Sequence, residues 1–180
     1  MSRIVAVFGG SAPKPGMPAY EEARRCGTLL AHAGWTVATG GYTGVMEAAS
    51  RGAHEAGGHV IGVTCTLIEN WREGFTANAW VKEEIKFGSL RERLYHLVEF
   101  CDATLALPGG IGTLSEIALT WSLIQTSEIK PKPLIVVGRV WAETLNTFLR
   151  ESDGYVRPEH KALVRVAGSI EEAVNVIGTQ

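Results

Sequence analysis

Short apolar runs rich in β-branched residues alternate along the chain with longer stretches whose apolar positions recur every three to four residues. Ile4-Val5-Ala6-Val7-Phe8 is apolar throughout, as a strand buried on both faces requires, and it ends at Gly9-Gly10-Ser11. Pro18, followed by Glu21 and Glu22, opens a helix that runs to about Ala33 and stops at Gly34. Thr36-Val37-Ala38 predicts a second strand ending at Gly40-Gly41. A helix over about 44–56 then closes at Gly57-Gly58, and 59–63 reads as a third strand. Residues 65–80 show no clear period and hold Asn70, Trp71, Gly74 and Trp80, which predicts a long loop able to act as a lid. Ser89 with Glu92 three positions later forms a capping box for a helix to about Phe100. A strand over 103–107 runs into Pro108-Gly109-Gly110-Ile111-Gly112-Thr113 and a helix to about Gln125. A strand over 133–137, a helix over 141–151, a strand near 163–166 and a helix from Ser169 complete the pattern.

Strand–helix alternation with short connections predicts right-handed parallel crossovers. The expected fold is therefore α/β, a Rossmann-like doubly wound parallel sheet with helices on both faces. At 180 residues a single domain over 1–180 is expected, and no repeat or linker interrupts it. Lys and Arg number 17 against 19 Asp and Glu, a net charge of −2 without any basic run. That balance argues against nucleic acid or an anionic membrane as partner. No apolar stretch approaches the roughly 20 residues of a membrane span, and the start of the chain lacks a signal-peptide layout, so a cytoplasmic protein is expected. Cys26, Cys65 and Cys101 show no paired spacing, which points to neither a disulfide framework nor a zinc site. No metal and no cofactor are expected. None of the six lysines falls on a segment assigned to the ligand crevice, which disfavours pyridoxal phosphate chemistry.

Three glycine pairs, Gly9-Gly10, Gly40-Gly41 and Gly109-Gly110, each follow a strand directly. In open parallel sheets the carboxyl ends of strands line the ligand crevice, so their convergence marks a binding site. In the 108–113 turn the glycines let backbone amides face a ligand, and the following helix N-terminus favours phosphate. The turn lacks the Gly-Lys-Ser/Thr of the Walker loop, and it does not follow the first strand as a dinucleotide fingerprint would. Glu116 lies one turn into the helix. It either complements the helix dipole or does chemistry, and a carboxylate beside a phosphate site favours the second. Arg91 and Arg93 flank the apolar stripe Leu90, Leu94, Leu97, Val98 and Cys101 on opposite edges, and periodicity does not choose between them. In the second glycine turn, Gly40 to Glu47, Met46 suits either a core or a contact position, and Glu47 suits a first-turn dipole partner. Cys101 reads as core, and no histidine is given a role.

The segments Gly40-Gly41-Tyr42-Thr43-Gly44-Val45-Met46-Glu47-Ala48-Ala49 and Pro108-Gly109-Gly110-Ile111-Gly112-Thr113-Leu114-Ser115-Glu116 resemble the "lonely guy" family of phosphoribohydrolases, within the Rossmann-like SLOG superfamily. The likeness carries a P-G-G-x-G-T-x-x-E motif and spans nearly the whole chain. It implies hydrolysis of the N-glycosidic bond of a cytokinin riboside 5′-monophosphate or AMP to free base and ribose 5-phosphate. It also implies that Glu116 and Arg93 are catalytic. Substrate and phosphate would be held by Gly109, Gly110, Ile111, Gly112 and Thr113, with Gly10, Ser11, Gly40, Gly41, Gly44 and Met46. Two positions depart from the family: Arg93-Leu94 stands where Arg-Lys is usual, and Tyr42 where a third glycine is common. The superfamily also contains molybdenum-cofactor carriers, so a non-enzymatic nucleotide or cofactor binder is the alternative. A DNA-processing role is disfavoured by the charge. A homodimer or larger assembly is expected, because the helices from Ser89 and Gly112 are apolar on more than one side.

Overall fold

The computed structural model describes residues 3–71 and 74–178, so positions 72–73 of the expected loop lie outside the described residues. The strands are β1 (Ile4–Phe8), β2 (Thr36–Thr39), β3 (Val60–Cys65), β4 (Glu83–Phe87), β5 (Ala103–Ala106), β6 (Leu134–Val137) and β7 (Arg165–Ala167). The helices are α1 (Pro18–His32), α2 (Val45–Glu55), α3 (Thr66–Trp71), α4 (Leu90–Glu99), α5 (Ile111–Gln125), α6 (Arg139–Glu151), α7 (Pro158–Lys161) and α8 (Ile170–Gly178). All the strands pair in parallel, in the order β4-β3-β2-β1-β5-β6-β7. The chain winds outward from β1 on one side and from β5 on the other, so the topological switch point falls between β1 and β5.

Alternation within the apolar runs supplies both layers of the core. Val5, Val7, Val37, Leu105 and Ile135 pack with Tyr20, Leu30, Ala49 and Ile177 of α1, α2 and α8. Ala6, Phe8, Ala38, Ala106 and Val136 pack with Leu97, Ile117, Trp121, Trp141 and Leu145 of α4, α5 and α6. The expected doubly wound sheet is the observed one. α4 begins at the expected capping box: the Glu92 amide donates to Ser89 Oγ at 3.3 Å, and the Ser89 amide donates to Glu92 Oε2 at 3.1 Å.

The expected loop over 65–80 is partly structured. β3 runs on to Cys65, α3 follows it, and β4 then adds an edge strand. β4 was not legible because an edge strand needs only one inward face. Of Glu83–Phe87, Ile85 and Phe87 are half-buried and the remaining positions are exposed.

Candidate functional site

The carboxyl ends of β1, β2, β3 and β5 open onto a cleft of about 430 Å³. One end is built by Gly9, Gly10 and Ser11 after β1 and by Gly110 to Thr113 at the start of α5. The other is apolar, with Leu67, Ile68 and Trp71 from α3, together with Phe75, Tyr42 and Leu90. Arg93 and Glu116 are the charged groups among the described residues that line it. A larger cavity of about 530 Å³ lies at the amino ends of the strands, around Arg3, Trp35 and Arg165. None of the glycine turns reaches that cavity, so the smaller cleft is the candidate site.

Arg93 is buried, at 6% exposure, whereas Arg91 is exposed. Residues two positions apart on a helix point about 200° apart, so α4 can turn only one of the pair toward the sheet. The Arg93 Nε donates to the Val63 carbonyl at 2.7 Å and Nη2 donates to the Gly40 carbonyl at 3.1 Å. Nη1 is the nitrogen that these carbonyls do not engage. Gly40 makes the arrangement possible. A Cβ there would lie 1.9 Å from Nη2 and 2.5 Å from Met46 Sδ. Leu90, expected on the buried stripe, is instead exposed at the rim of the cleft. Leu94 is partly buried against the core, contributing packing rather than charge beside Arg93.

Glu116 is partly buried one helical turn beyond Thr113. Burial pushes its carboxyl up to about 7, and the Arg93 charge opposes that shift without cancelling it. A carboxyl group poised near neutrality can carry charge or hold a proton, which suits acid–base work. Gly109 is required for packing, since a Cβ there would sit 2.2 Å from Thr113 Oγ1. At Gly110 a Cβ would meet nothing within 4 Å, so this residue keeps the approach to the α5 N-terminus open. The first amides of a helix have no intrahelical acceptor and are available to an anion.

The other expected binding residues divide. Gly10 and Ser11 line the cleft, although the Gly10 amide is committed to the Pro108 carbonyl at 3.1 Å. Met46 also lines it. Gly40, Gly41 and Gly44 shape the turn behind the cleft without lining it. Leu67, Ile68 and Phe75 belong to the cleft wall and were not singled out from the sequence. They come from the aperiodic segment, and their only sequence signal was an apolar residue amid polar ones.

Fold and cleft together describe a Rossmann-like α/β protein with a candidate cleft at the topological switch point. Residues 2–160 match the model described as the SLOG cluster4 family, and the chain belongs to that family. A cytokinin riboside 5′-monophosphate phosphoribohydrolase of Arabidopsis thaliana is 32% identical over 140 residues. That match covers 75% of this chain, and the chain spans only 59% of that relative's length. The cytokinin riboside 5′-monophosphate phosphoribohydrolase of Mycobacterium tuberculosis is 29% identical, with 94% of this chain and 90% of the relative covered. The molybdenum cofactor binding protein of Rippkaea orientalis superposes with a TM-score of 0.75 at 28% identity, covering 99% of this chain and 97% of that one. No helix among the described residues is long and apolar enough to cross a membrane.

Proposed function

We propose that the chain hydrolyses the N-glycosidic bond of a purine-type nucleoside 5′-monophosphate, a cytokinin ribotide or AMP, to free base and ribose 5-phosphate. The observation that carries the reading is the presence of Glu116, the buried Arg93 and the α5 N-terminus in one cleft. The turn from Gly109 to Thr113 holds the phosphate through the first amides of α5. The glycosidic bond breaks toward an oxocarbenium-like ribosyl centre, which the Glu116 carboxylate stabilises while it directs water to the same carbon. Water supplies the hydroxyl of ribose 5-phosphate, and the proton it loses goes to the departing base. Arg93 places a fixed positive charge opposite the carboxylate and offsets the charge of the bound phosphate.

A second reading, a carrier that binds a nucleotide or molybdenum cofactor without turning it over, is favoured by the likeness to the Rippkaea orientalis protein and by Leu94 in place of a cation. Incubation with AMP, other nucleotides and cytokinin ribotides, followed by assay of ribose 5-phosphate, decides between them. Release supports the hydrolase, and tight binding without release supports the carrier.

Two further results are expected, the first from this reading and the second from an exposed apolar face. Gly110→Val places its side chain in open space at the cleft without straining an ordinary backbone conformation of φ −100°. The variant should keep its circular dichroism spectrum and melting behaviour but lose AMP binding in calorimetry. Unchanged affinity would remove the phosphate role of the turn. The second result concerns assembly. Ile111 is 79% exposed, and an apolar groove of about 480 Å³ between α5 and α6 is lined by Leu114, Ala118, Trp121, Leu145 and Phe148. Such a face is buried most simply by a second copy. Light scattering at micromolar concentration should give at least twice the chain's 19.4 kDa.

A further inference from the structure

Tyr42 lines the cleft, and its side chain is fixed on several sides. Its hydroxyl accepts from the Cys65 amide at 2.8 Å and donates to the Cys65 carbonyl at 3.1 Å, which pins the ring to the end of β3. The ring packs on Phe75 with centroids 5.1 Å apart, and the Arg93 guanidinium carbon lies 5.6 Å from its centroid. Asn78 closes the arrangement. Its backbone amide donates to the Gly41 carbonyl at 2.8 Å, and its side-chain amide donates to the Gly41 and Tyr42 carbonyls, each at 3.0 Å. The segment that carries Phe75 is thus stitched to the turn that carries Tyr42.

At 2% exposure the ring is a wall of the cleft rather than a mobile gate. Bonded to the end of β3, it lies across β2 and β1 from the turn at Gly110 to Thr113, which follows β5. A nucleotide whose phosphate rests on that turn directs its base toward Tyr42, Phe75 and Ile68. With glycine at this position, the volume of an aromatic ring would be open there.

We propose that Tyr42 sets the length of the base subsite, so that the cleft takes a nucleoside 5′-monophosphate with an unsubstituted purine and rejects one bearing a bulky apolar group on the exocyclic amine. This inference rests on the nucleotide reading given above. A flexible side chain yields to added carbon atoms by changing rotamer. Tyr42 yields only by breaking both hydrogen bonds to Cys65 and displacing Phe75, so close packing turns extra bulk into lost affinity.

The test compares AMP with N6-benzyl-AMP, by calorimetry for Kd and by ribose 5-phosphate release for kcat/KM, in the parent, Tyr42→Phe and Tyr42→Gly. The parent should favour AMP by about tenfold or more, within the range that steric fit commonly gives. Tyr42→Phe keeps the ring but loses both hydrogen bonds to Cys65 and should narrow the preference, while Tyr42→Gly should abolish or reverse it. Circular dichroism checks the fold. If the glycine variant does not fold, Tyr42→Leu supplies the comparison and should narrow the preference. Equal handling of both nucleotides by the parent, or an unchanged preference once the ring is removed, overturns the proposal. Binding without release would defeat the hydrolase reading alone, because the ratio of the two Kd values still decides the role of Tyr42. Failure to bind either nucleotide would overturn both.

Discussion

Glu116→Gln is expected to cut ribose 5-phosphate release by about 10²–10³, which corresponds to roughly 3–4 kcal/mol of transition-state stabilisation. The amide keeps the shape of the carboxylate but cannot balance a cationic ribosyl centre. AMP binding should survive or tighten, because a negative charge beside the bound phosphate is gone. Normal turnover by this variant would end the role assigned to Glu116. A pH series sharpens the test. Burial holds the carboxyl at about 7 in the fold against 4.5 ordinarily, so the folded protein favours the protonated form. Between those two values the unfolded chain binds fewer protons than the folded one, and stability therefore falls as pH rises through the window. Glu116→Gln removes that loss. The variant should melt above the parent at pH 8, with a gap that narrows toward pH 5, while parental activity rises with pH through about 7.

Arg93→Ala is expected to damage both stability and turnover, and Arg91→Ala neither. Removing the guanidinium leaves the carbonyls of Val63 and Gly40 without these donors inside the protein. Two such losses cost about 2–4 kcal/mol together, or about 5–15 °C in Tm for a domain of this size. Release of ribose 5-phosphate should fall by about 10² or more in the protein that remains folded. The exposed Arg91 should move stability by no more than about 0.5 kcal/mol when truncated. Gly40→Ala offers a control that leaves the arginine in place, since its Cβ would occupy the space of Nη2 and displace the guanidinium. Calorimetric melting of the variants beside the same release assay checks all of these outcomes. If Arg91→Ala were the crippled variant, the assignment would be reversed.

What the sequence disclosed followed from how much of each signal is local. The buried central strands announced themselves because parallel strands covered on both faces must be apolar at nearly every position. The Ser89–Glu92 cap was equally legible, since the whole device lies within four residues. Glycine pairs after strands located the cleft through a rule of topology rather than through any contact. β4 escaped because at the sheet edge it needs only Ile85 and Phe87 turned inward. The choice between Arg91 and Arg93 also escaped. It is made by the face that α4 turns to the sheet, and the guanidinium on that face finds its room at Gly40, 53 residues away in the chain. The wall formed by Tyr42 and Phe75 is a pairing across 33 positions, and neither residue signals it alone.

The two hydrogen bonds of Arg93 tie the ends of β2 and β3 together, so the arginine serves the folded state as well as any reaction. Among the described residues no comparable bond holds the Glu116 carboxyl, and its burial makes the charged form a burden on the fold. The two positions are therefore under different pressures when activity is lost. A descendant that no longer cleaves nucleotides would keep the arginine simply to stay folded, whereas its glutamate would be free to drift and would gain stability by doing so. Within such a lineage the glutamate records whether chemistry has been retained, and the arginine records only ancestry.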